Sequence, residues 1–146
     1  MTRIRVSLLL AVCLAALGIV TTHAAEPAAP EGAEWKLVAL NGKDLAAAAE
    51  GRGPATIRLD AAKKSASGFS GVNRFFGGYE REGDKLKFGA LAGTRMAGPP
   101  EAMAAESAYL AALGSVTAWR IADGALELLQ VAKVVARFSA EPAKEK

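Results

Sequence analysis

Short runs of alternating apolar and polar residues dominate the chain from residue 34 onward. In the first run, Trp35 and Leu37 face one side and Lys36 faces the other. A period of two is typical of strands that bury one face of an antiparallel sheet. The pattern predicts about seven strands, at residues 34–40, 55–60, 79–81, 85–88, 115–121, 126–131 and 133–138.

Turn signals separate these runs, and one helix interrupts them. Asn41-Gly42 and Asp123-Gly124 are dipeptides that favour tight hairpin turns. The main helix is predicted over Glu101–Leu113, because Pro99-Pro100 precedes it and Gly114 follows it. We therefore expect an α+β fold, in which one main α-helix packs on an antiparallel, strongly curved sheet that is roll or barrel-like.

Residues outside the strands define the predicted organisation of the chain. Residues 1–24 form a predicted signal peptide and 25–33 a Pro/Ala-rich linker. The domain is expected over 34–140, followed by a charged, flexible tail at 141–146. Within the domain, Asp44 could cap a helical turn in the alanine-rich run that follows it.

One stretch, residues 68–79, combines four glycines with four aromatic residues. Glycine permits positive φ and close backbone approach, and aromatic side chains anchor a segment to a core. We expect a rigid structural or binding loop. Its candidate residues are Gly71, Asn73, Arg74, Phe75, Gly78 and Tyr79. The stretch lacks the Gly-Lys-Ser/Thr ending of a phosphate-binding loop and opens no helix, which argues against nucleotide binding.

Glu106 lies on the apolar stripe of the predicted helix. A carboxylate there is costly unless it is hydrogen-bonded or paired. The candidate partners are Arg74, Arg95, Thr94 and the backbone N–H groups of residues 68–79. We expect Glu106, with Thr94 and Arg95, to clamp the loop to the helix. The functional alternative is a general acid or base with a raised pKa.

The N-terminal residues have the features of a secretory signal. Two arginines precede the apolar run Val6–Val20, and Thr22-His23-Ala24 fits the cleavage pattern, with a cut after Ala25 as the alternative. The run is shorter than the ~20 residues of a membrane-spanning helix. Anchoring as a lipoprotein through Cys13 is disfavoured, because Val12 precedes it where a small residue is needed. We expect a periplasmic or secreted protein with no transmembrane span after removal of the signal.

Removing residues 1–24 also removes the only cysteine and the only histidine. Catalysis by Ser-His-Asp or Cys-His groups, histidine zinc sites and thiolate metal sites are then excluded by composition. Net charge falls from +3 to +1, because Arg3 and Arg5 leave and every acid stays. We expect a monomer without metal, cofactor, nucleic-acid partner or enzymatic activity. An enzyme that uses carboxylates alone would require two acids converging in one pocket.

Four motifs together resemble the META domain, the family of the heat-shock protein HslJ. That family has a Trp-x-Leu strand, a Gly-Cys-Asn-Arg-aromatic-x-Gly-x-Tyr loop, a Thr-x-Met-Ala-Cys segment, and a helix with Glu before an aromatic-Leu pair. The counterparts here are Trp35-Lys36-Leu37, Gly71 to Tyr79, Thr94 to Gly98, and Glu106 with Tyr109-Leu110. The resemblance covers nearly the whole chain after the signal.

Both cysteine positions of the family carry other residues here, Val72 and Gly98. If the family's two cysteines pair, the loss of both together is what a relative without the disulfide would show. The resemblance therefore implies that Val72 and Gly98 lie within disulfide range. Such a bridge would close a loop of about 26 residues, which corresponds to roughly 3–4 kcal/mol on the chain-entropy model.

The resemblance implies a non-enzymatic role in the bacterial cell envelope, linked to heat or envelope stress or to drug tolerance. The alternative is a protein-binding or inhibitor module, similar to protease or lysozyme inhibitors, that acts through Gly68–Tyr79. That alternative requires an exposed aromatic patch, so burial of both Phe75 and Phe76 would count against it. The partner, an envelope protein or ligand, is not identified by the sequence.

Overall fold

The computed structural model describes residues 28–45 and 53–141, which form nine strands and one helix. In chain order they are β1 (Glu34–Leu40), β2 (Lys43–Asp44), β3 (Thr56–Asp60), β4 (Ser65–Phe69), β5 (Arg74–Glu82), β6 (Lys85–Gly93), α1 (Pro100–Gly114), β7 (Ala118–Ala122), β8 (Ala125–Gln130) and β9 (Lys133–Glu141). The strands form one antiparallel sheet in the order β2-β1-β3-β4-β5-β6-β7-β8-β9, and β1 also pairs with β9. The predicted α+β class and curved sheet are confirmed, with nine strands rather than about seven.

Two of the hairpin turns follow directly from their sequences. Asn41-Gly42 joins β1 to β2, and Asp123-Gly124 joins β7 to β8. All four residues have positive φ, between 51° and 79°. This is the backbone of a two-residue turn whose twist matches that of the flanking strands.

The prediction of a loop over residues 68–79 is wrong for most of its length. β4 extends to Phe69 and β5 begins at Arg74, so only residues 70–73 form a turn. Gly71 has a φ of 111° in that turn, but Gly77 lies inside β5. A Cβ on Gly77 would lie 2.6 Å from a carbonyl oxygen of β6. Here glycine serves close strand packing, a use that the sequence does not distinguish from a turn.

Residues 28–33, predicted as linker, pack onto the sheet. Pro30 is fully buried, and its carbonyl accepts a hydrogen bond from Trp35 Nε1 at 2.7 Å. The Glu31 carboxylate accepts hydrogen bonds from the Tyr79 hydroxyl at 3.0 Å and from Arg81 Nε at 2.7 Å. Burial and the hydrogen bond to Glu31 raise the pKa of Tyr79 to about 12. The fold thus includes this segment.

Several predictions concern residues outside the described part of the chain. The signal peptide at 1–24, the first residues of the linker and most of the alanine-rich run lie there. The tail predicted at 141–146 lies there too, except for Glu141, which is the last residue of β9. Asp44, predicted as a helix cap, lies in β2 and pairs with Ala39 of β1. Among the described residues, no helix is long and apolar enough to cross a membrane.

The helix is held on the inner face of the curved sheet by aromatic packing. The Tyr109 ring meets Phe75 edge to face at 5.9 Å and Phe138 at 6.2 Å between centroids. The Tyr109 hydroxyl donates to the carbonyl oxygen of Thr56 at 3.2 Å, and burial raises its pKa well above the ordinary value. Leu113, one turn later, is also fully buried. These contacts fix which face of α1 meets the β4–β5 turn.

Candidate functional site

Glu106, in the middle of α1, joins the helix to the turn between β4 and β5. It is only 7% exposed. Its Oε2 accepts hydrogen bonds from Ser70 Oγ at 2.7 Å, from the Asn73 backbone N–H at 2.8 Å and from the Val72 backbone N–H at 3.3 Å. Its Oε1 accepts a hydrogen bond from Asn73 Nδ2 at 2.8 Å. Four donors therefore surround one buried carboxylate.

Asn73 extends this network to the segment that leads from β6 to the helix. Its Nδ2 also donates to the carbonyl oxygen of Met96 at 3.1 Å. Its Oδ1 accepts from the Met96 backbone N–H at 2.7 Å and from Thr94 Oγ1 at 2.9 Å. The amide side chain of asparagine has two donor and two acceptor sites, and all four are used here. The turn, the helix and the 94–98 segment are thereby held together at one point.

The electrostatics of Glu106 follow from these contacts. Burial raises the pKa of the carboxyl group, but the hydrogen bonds from Ser70, Asn73 and Val72 outweigh it and hold the pKa below its ordinary value. The group is therefore ionised at neutral pH. The alternative of a general acid or base with a raised pKa is contradicted by this direction.

The predicted partners of Glu106 are confirmed in part: the backbone N–H groups of Val72 and Asn73 bond to it, but the arginines do not. Thr94 bonds to Asn73, and its hydroxyl also accepts the Arg74 backbone N–H at 3.1 Å. Within residues 28–45 and 53–141, neither Arg74 nor Arg95 forms an ion pair with Glu106. The turn supplies the donors, through the predicted backbone N–H groups and through Ser70. Ser70 is the contributor that the sequence prediction missed, and the only signal in the sequence was a serine directly before the glycine of the turn.

Val72 and Gly98 lie beside this network and within disulfide range, as predicted. A Cβ built on Gly98 would lie 3.6 Å from the Val72 Cβ and 3.0 Å from each Val72 methyl carbon. Cβ atoms of a disulfide are about 3.5–4.5 Å apart. Since each Cα–Cβ bond is about 1.5 Å long, the two Cα atoms are no more than about 6.6 Å apart. The Val72 methyl groups occupy the space that a bridge would use.

These contacts join the residues that carried the family resemblance, and comparison with known proteins decides the family. Residues 28–142 match the model of the META domain. The chain belongs to the META domain family. In this META domain, the motif residues Asn73, Thr94 and Glu106 are partners in a single hydrogen-bond network.

Two solved structures are similar to this META domain. An NMR structure of a protein from Burkholderia xenovorans is 31% identical, with a TM-score of 0.61 over 77% of this chain and 84% of that one. A second NMR structure is 24% identical, with a TM-score of 0.55 over 73% of this chain and 87% of that one, and it shows the fold alone. No curated protein matches the sequence.

The remaining predicted binding residues divide between the two faces of β5. Phe75 and Tyr79 point into the core and are buried, whereas Arg74 and Gly78 lie on the outer face. Phe76, which the predicted set omitted, is 61% exposed on that outer face. Because the stretch is a strand rather than a loop, adjacent aromatic residues point in opposite directions.

Two shallow cavities lie on the outer face of the sheet. The first, about 390 Å³, is lined mainly by polar side chains around Phe76: Glu34, Thr56, Arg58, Ser67 and Arg74. The second, about 360 Å³, lies over β5 and β6 and is lined by residues that include Glu80 and Lys87. Each contains one carboxylate, so neither brings together the two acids that a carboxylate-based hydrolase needs. Among the described residues, no group of three or more metal-ligating side chains occurs.

Proposed function

We propose that this META domain protein is exported and has a non-enzymatic role in the bacterial cell envelope, linked to heat or envelope stress or to drug tolerance. The observation that carries the non-enzymatic part is the environment of Glu106. Its carboxylate accepts four hydrogen bonds and has a lowered pKa, so it is committed to holding α1 on the β4–β5 turn. A group bound in this way is poorly suited to proton transfer.

Export is supported by the match between the predicted cleavage site and the start of the fold. Pro30 is the first fully buried residue described, and Glu31 follows it with two side-chain hydrogen bonds. Only a few residues therefore separate a cut after Ala24 or Ala25 from the packed domain. Such a cut would leave the sheet and its N-terminal segment complete.

Cell fractionation and intact mass test the proposal. We expect the protein in the periplasm or medium, with a mass that lacks residues 1–24 or 1–25. Leu10→Arg, which interrupts the apolar run, should leave the full-length chain in the cytoplasm, whereas Cys13→Ala should change nothing. Full-length wild-type protein in the cytoplasm would refute export. Membrane association that Cys13→Ala abolishes would show a lipoprotein instead.

The link to stress is tested in cells. Deletion of the gene should reduce survival after heat or antibiotic challenge, and wild-type protein should restore it. Wild-type protein whose signal is disabled by Leu10→Arg should fail to restore survival if the role lies in the envelope. Equal rescue by the two proteins would contradict an envelope role.

The protein-binding alternative has one observation in its favour, the exposure of Phe76. The turn is a poor inhibitor loop, because Ser70, Val72 and Asn73 are all buried. A protein partner would therefore contact the outer face of β5. Pull-down from envelope extract, before and after heat stress, tests this with Phe76→Ala as the comparison. The variant avoids Asn73, whose side chain supports the fold.

A further inference from the structure

The outer face of β1, β3, β4, β5 and β6 carries an unusual combination of side chains. Strand register places five residues directly opposite one another in one row: Glu34, Arg58, Ser67, Phe76 and Ala92. A second row beside it contains Lys36, Thr56, Phe69 and Arg74. With strands about 4.8 Å apart, the first row spans about 19 Å. The face is therefore long enough for an extended ligand.

Phe76 is the most exposed aromatic side chain on this face. It lies within a strand and is 61% exposed, although neighbouring Phe75 is 2% exposed. Leaving such a side chain in water forgoes about 1.5–3 kcal/mol of burial free energy. A single exposed phenylalanine is common on proteins, but this one borders a cavity of about 390 Å³. That volume is in the range of small-molecule sites, ~300–1,000 Å³.

The backbone of Gly68 forms part of the cavity wall, although a side chain at this position would face the core. A Cβ on Gly68 would clash with the carbonyl oxygen of Thr56 and lie 2.9 Å from the Phe75 ring. No larger side chain fits there without displacing backbone. Hydroxyl groups of Thr56 and Ser67 also line the cavity, so hydrogen-bonding groups surround the aromatic ring.

The charges favour an anionic ligand of low charge density. Arg58 and Arg74 line the cavity, and neither forms an ion pair within the described residues. Glu34 lines it too, and Glu141 lies opposite Glu34 on β9. Guanidinium groups bind carboxylates strongly, whereas the two glutamates would repel a chain of phosphates but accept hydrogen bonds from hydroxyl groups. A hydroxyl-rich ligand with an occasional carboxylate fits these groups best.

We propose that this face binds an acidic glycan. A sugar ring stacks on Phe76, a sugar carboxylate pairs with the arginines Arg58 and Arg74, and sugar hydroxyls bond to Ser67 and Glu34. The proposal rests on the proposed function, because export brings the protein to the compartment where such glycans occur.

Binding is measured by NMR on ¹⁵N-labelled protein in whichever form the cell accumulates, so the result does not depend on signal removal. The probes are a tetrasaccharide of alternating N-acetylglucosamine and N-acetylmuramic acid and the neutral tetramer of N-acetylglucosamine. They differ in the lactyl carboxylate. We expect both to shift amide signals of Ser67 and Phe76, and the acidic one to bind about tenfold more tightly through one charge-assisted contact.

Matched variants separate stacking of a sugar ring on Phe76 from pairing of the sugar carboxylate with arginine. Phe76→Ala should weaken the binding of both tetrasaccharides by about tenfold. Val131→Ala, at another exposed apolar residue, should leave their binding unchanged. Arg58→Gln should weaken binding of the acidic tetrasaccharide only, whereas Lys133→Gln, which removes an equal charge from the start of β9, should affect binding of neither. All four positions lie at the surface, and thermal melting checks that each variant is folded.

Three results would overturn the proposal. These are no saturable shift with either sugar, shifts confined to other faces, or equal effects of a variant and its matched control. Tighter binding of a single-stranded oligothymidine to the same amides would replace the glycan by nucleic acid and also overturn it. Cell fractionation is a separate measurement, so loss of glycan binding and failure of export are distinguishable.

Discussion

Glu106→Gln removes the charge at the junction of helix and turn while keeping the size of the side chain. A glutamine has one acceptor oxygen and one NH₂ group, whereas the four donors around Glu106 require acceptors on both sides. If the oxygen occupies the Oε2 position, the NH₂ group faces Asn73 Nδ2 at about the 2.8 Å of the present contact. One N–H of the buried Asn73 Nδ2 group then lacks an acceptor, and the three hydrogen bonds at the Oε2 position lose their charged acceptor. We expect a loss of about 3 kcal/mol in the free energy of unfolding.

A substitution of Asn73 tests the contact between Asn73 and Glu106 from the side of the turn. Asn73→Asp places a carboxylate oxygen against Glu106 Oε1 and should destabilise the protein more than Glu106→Gln does. In the double variant, the glutamine NH₂ group donates to the new carboxylate. The double variant should therefore be more stable than Asn73→Asp alone, with a favourable coupling of about 1–3 kcal/mol. It should not reach wild-type stability, because the new carboxylate also faces the carbonyl oxygen of Met96.

Urea unfolding at neutral pH, followed by the fluorescence of the two tryptophans, measures these free energies. The control is Glu80→Gln, which removes an exposed acid from the outer face of β5 and should change stability by no more than about 0.5 kcal/mol. If Glu106→Gln matches this control, the network does not hold the helix. Strictly additive effects of the two substitutions would likewise refute the contact between residues 73 and 106.

The pH dependence of the same variant has a defined sign. The pKa of Glu106 is lower in the folded protein than the value near 4.5 of an unperturbed glutamate. A group of this kind stabilises the fold above its unfolded pKa, and its contribution is lost as pH falls through the folded pKa. The stability difference between wild type and Glu106→Gln should be constant near neutrality and should shrink below about pH 4.5. A difference that grows on acidification would contradict the lowered pKa.

Three further results are expected. The double variant Val72→Cys/Gly98→Cys should form a disulfide, and urea unfolding should show the oxidised form to be about 3.5 kcal/mol more stable than the reduced form. If no disulfide forms, the two residues are not as close as described. Ultraviolet absorbance should show no tyrosinate forming near pH 10 in the folded protein, because the pKa of Tyr79 is raised to about 12 and the pKa of Tyr109 is raised well above its ordinary value. A rise in tyrosinate absorbance near pH 10 would contradict both pKa shifts. Gly68→Ala should cost at least about 1–3 kcal/mol by thermal melting, because its Cβ clashes with backbone, and a neutral result would contradict that packing.

The parts of the fold that the sequence predicted are those with a local pattern. Alternation gave β1 with its observed bounds, and Pro99-Pro100 and Gly114 bounded the helix to within a residue or so. Residues 68–79 have no alternation to read, because Gly68 and Gly77 replace the side chains that would mark the inward face. Their role depends on neighbouring strands far away in sequence.

The candidate site was predicted only in part, because only some of its contacts follow from a local sequence pattern. The helical stripe indicated a buried Glu106, and its predicted partners included Arg74, Arg95 and the backbone N–H groups of residues 68–79. The geometry confirms the backbone N–H groups, adds Ser70 and leaves out the arginines. The direction of a backbone N–H depends on the φ and ψ angles of the turn, which side-chain identities do not reveal. Exposure of Phe76 was missed because residue direction follows from the register of β5.

Pairing of β1 with β9 has a consequence for synthesis. The first and the last strand of the domain are neighbours, so a nascent chain cannot close its sheet until residue 141 has been made. Contacts between distant parts of a chain form slowly, and incomplete β domains remain unfolded while they wait. Such a chain should complete its sheet only after the whole domain has been synthesised, which would favour the export proposed above.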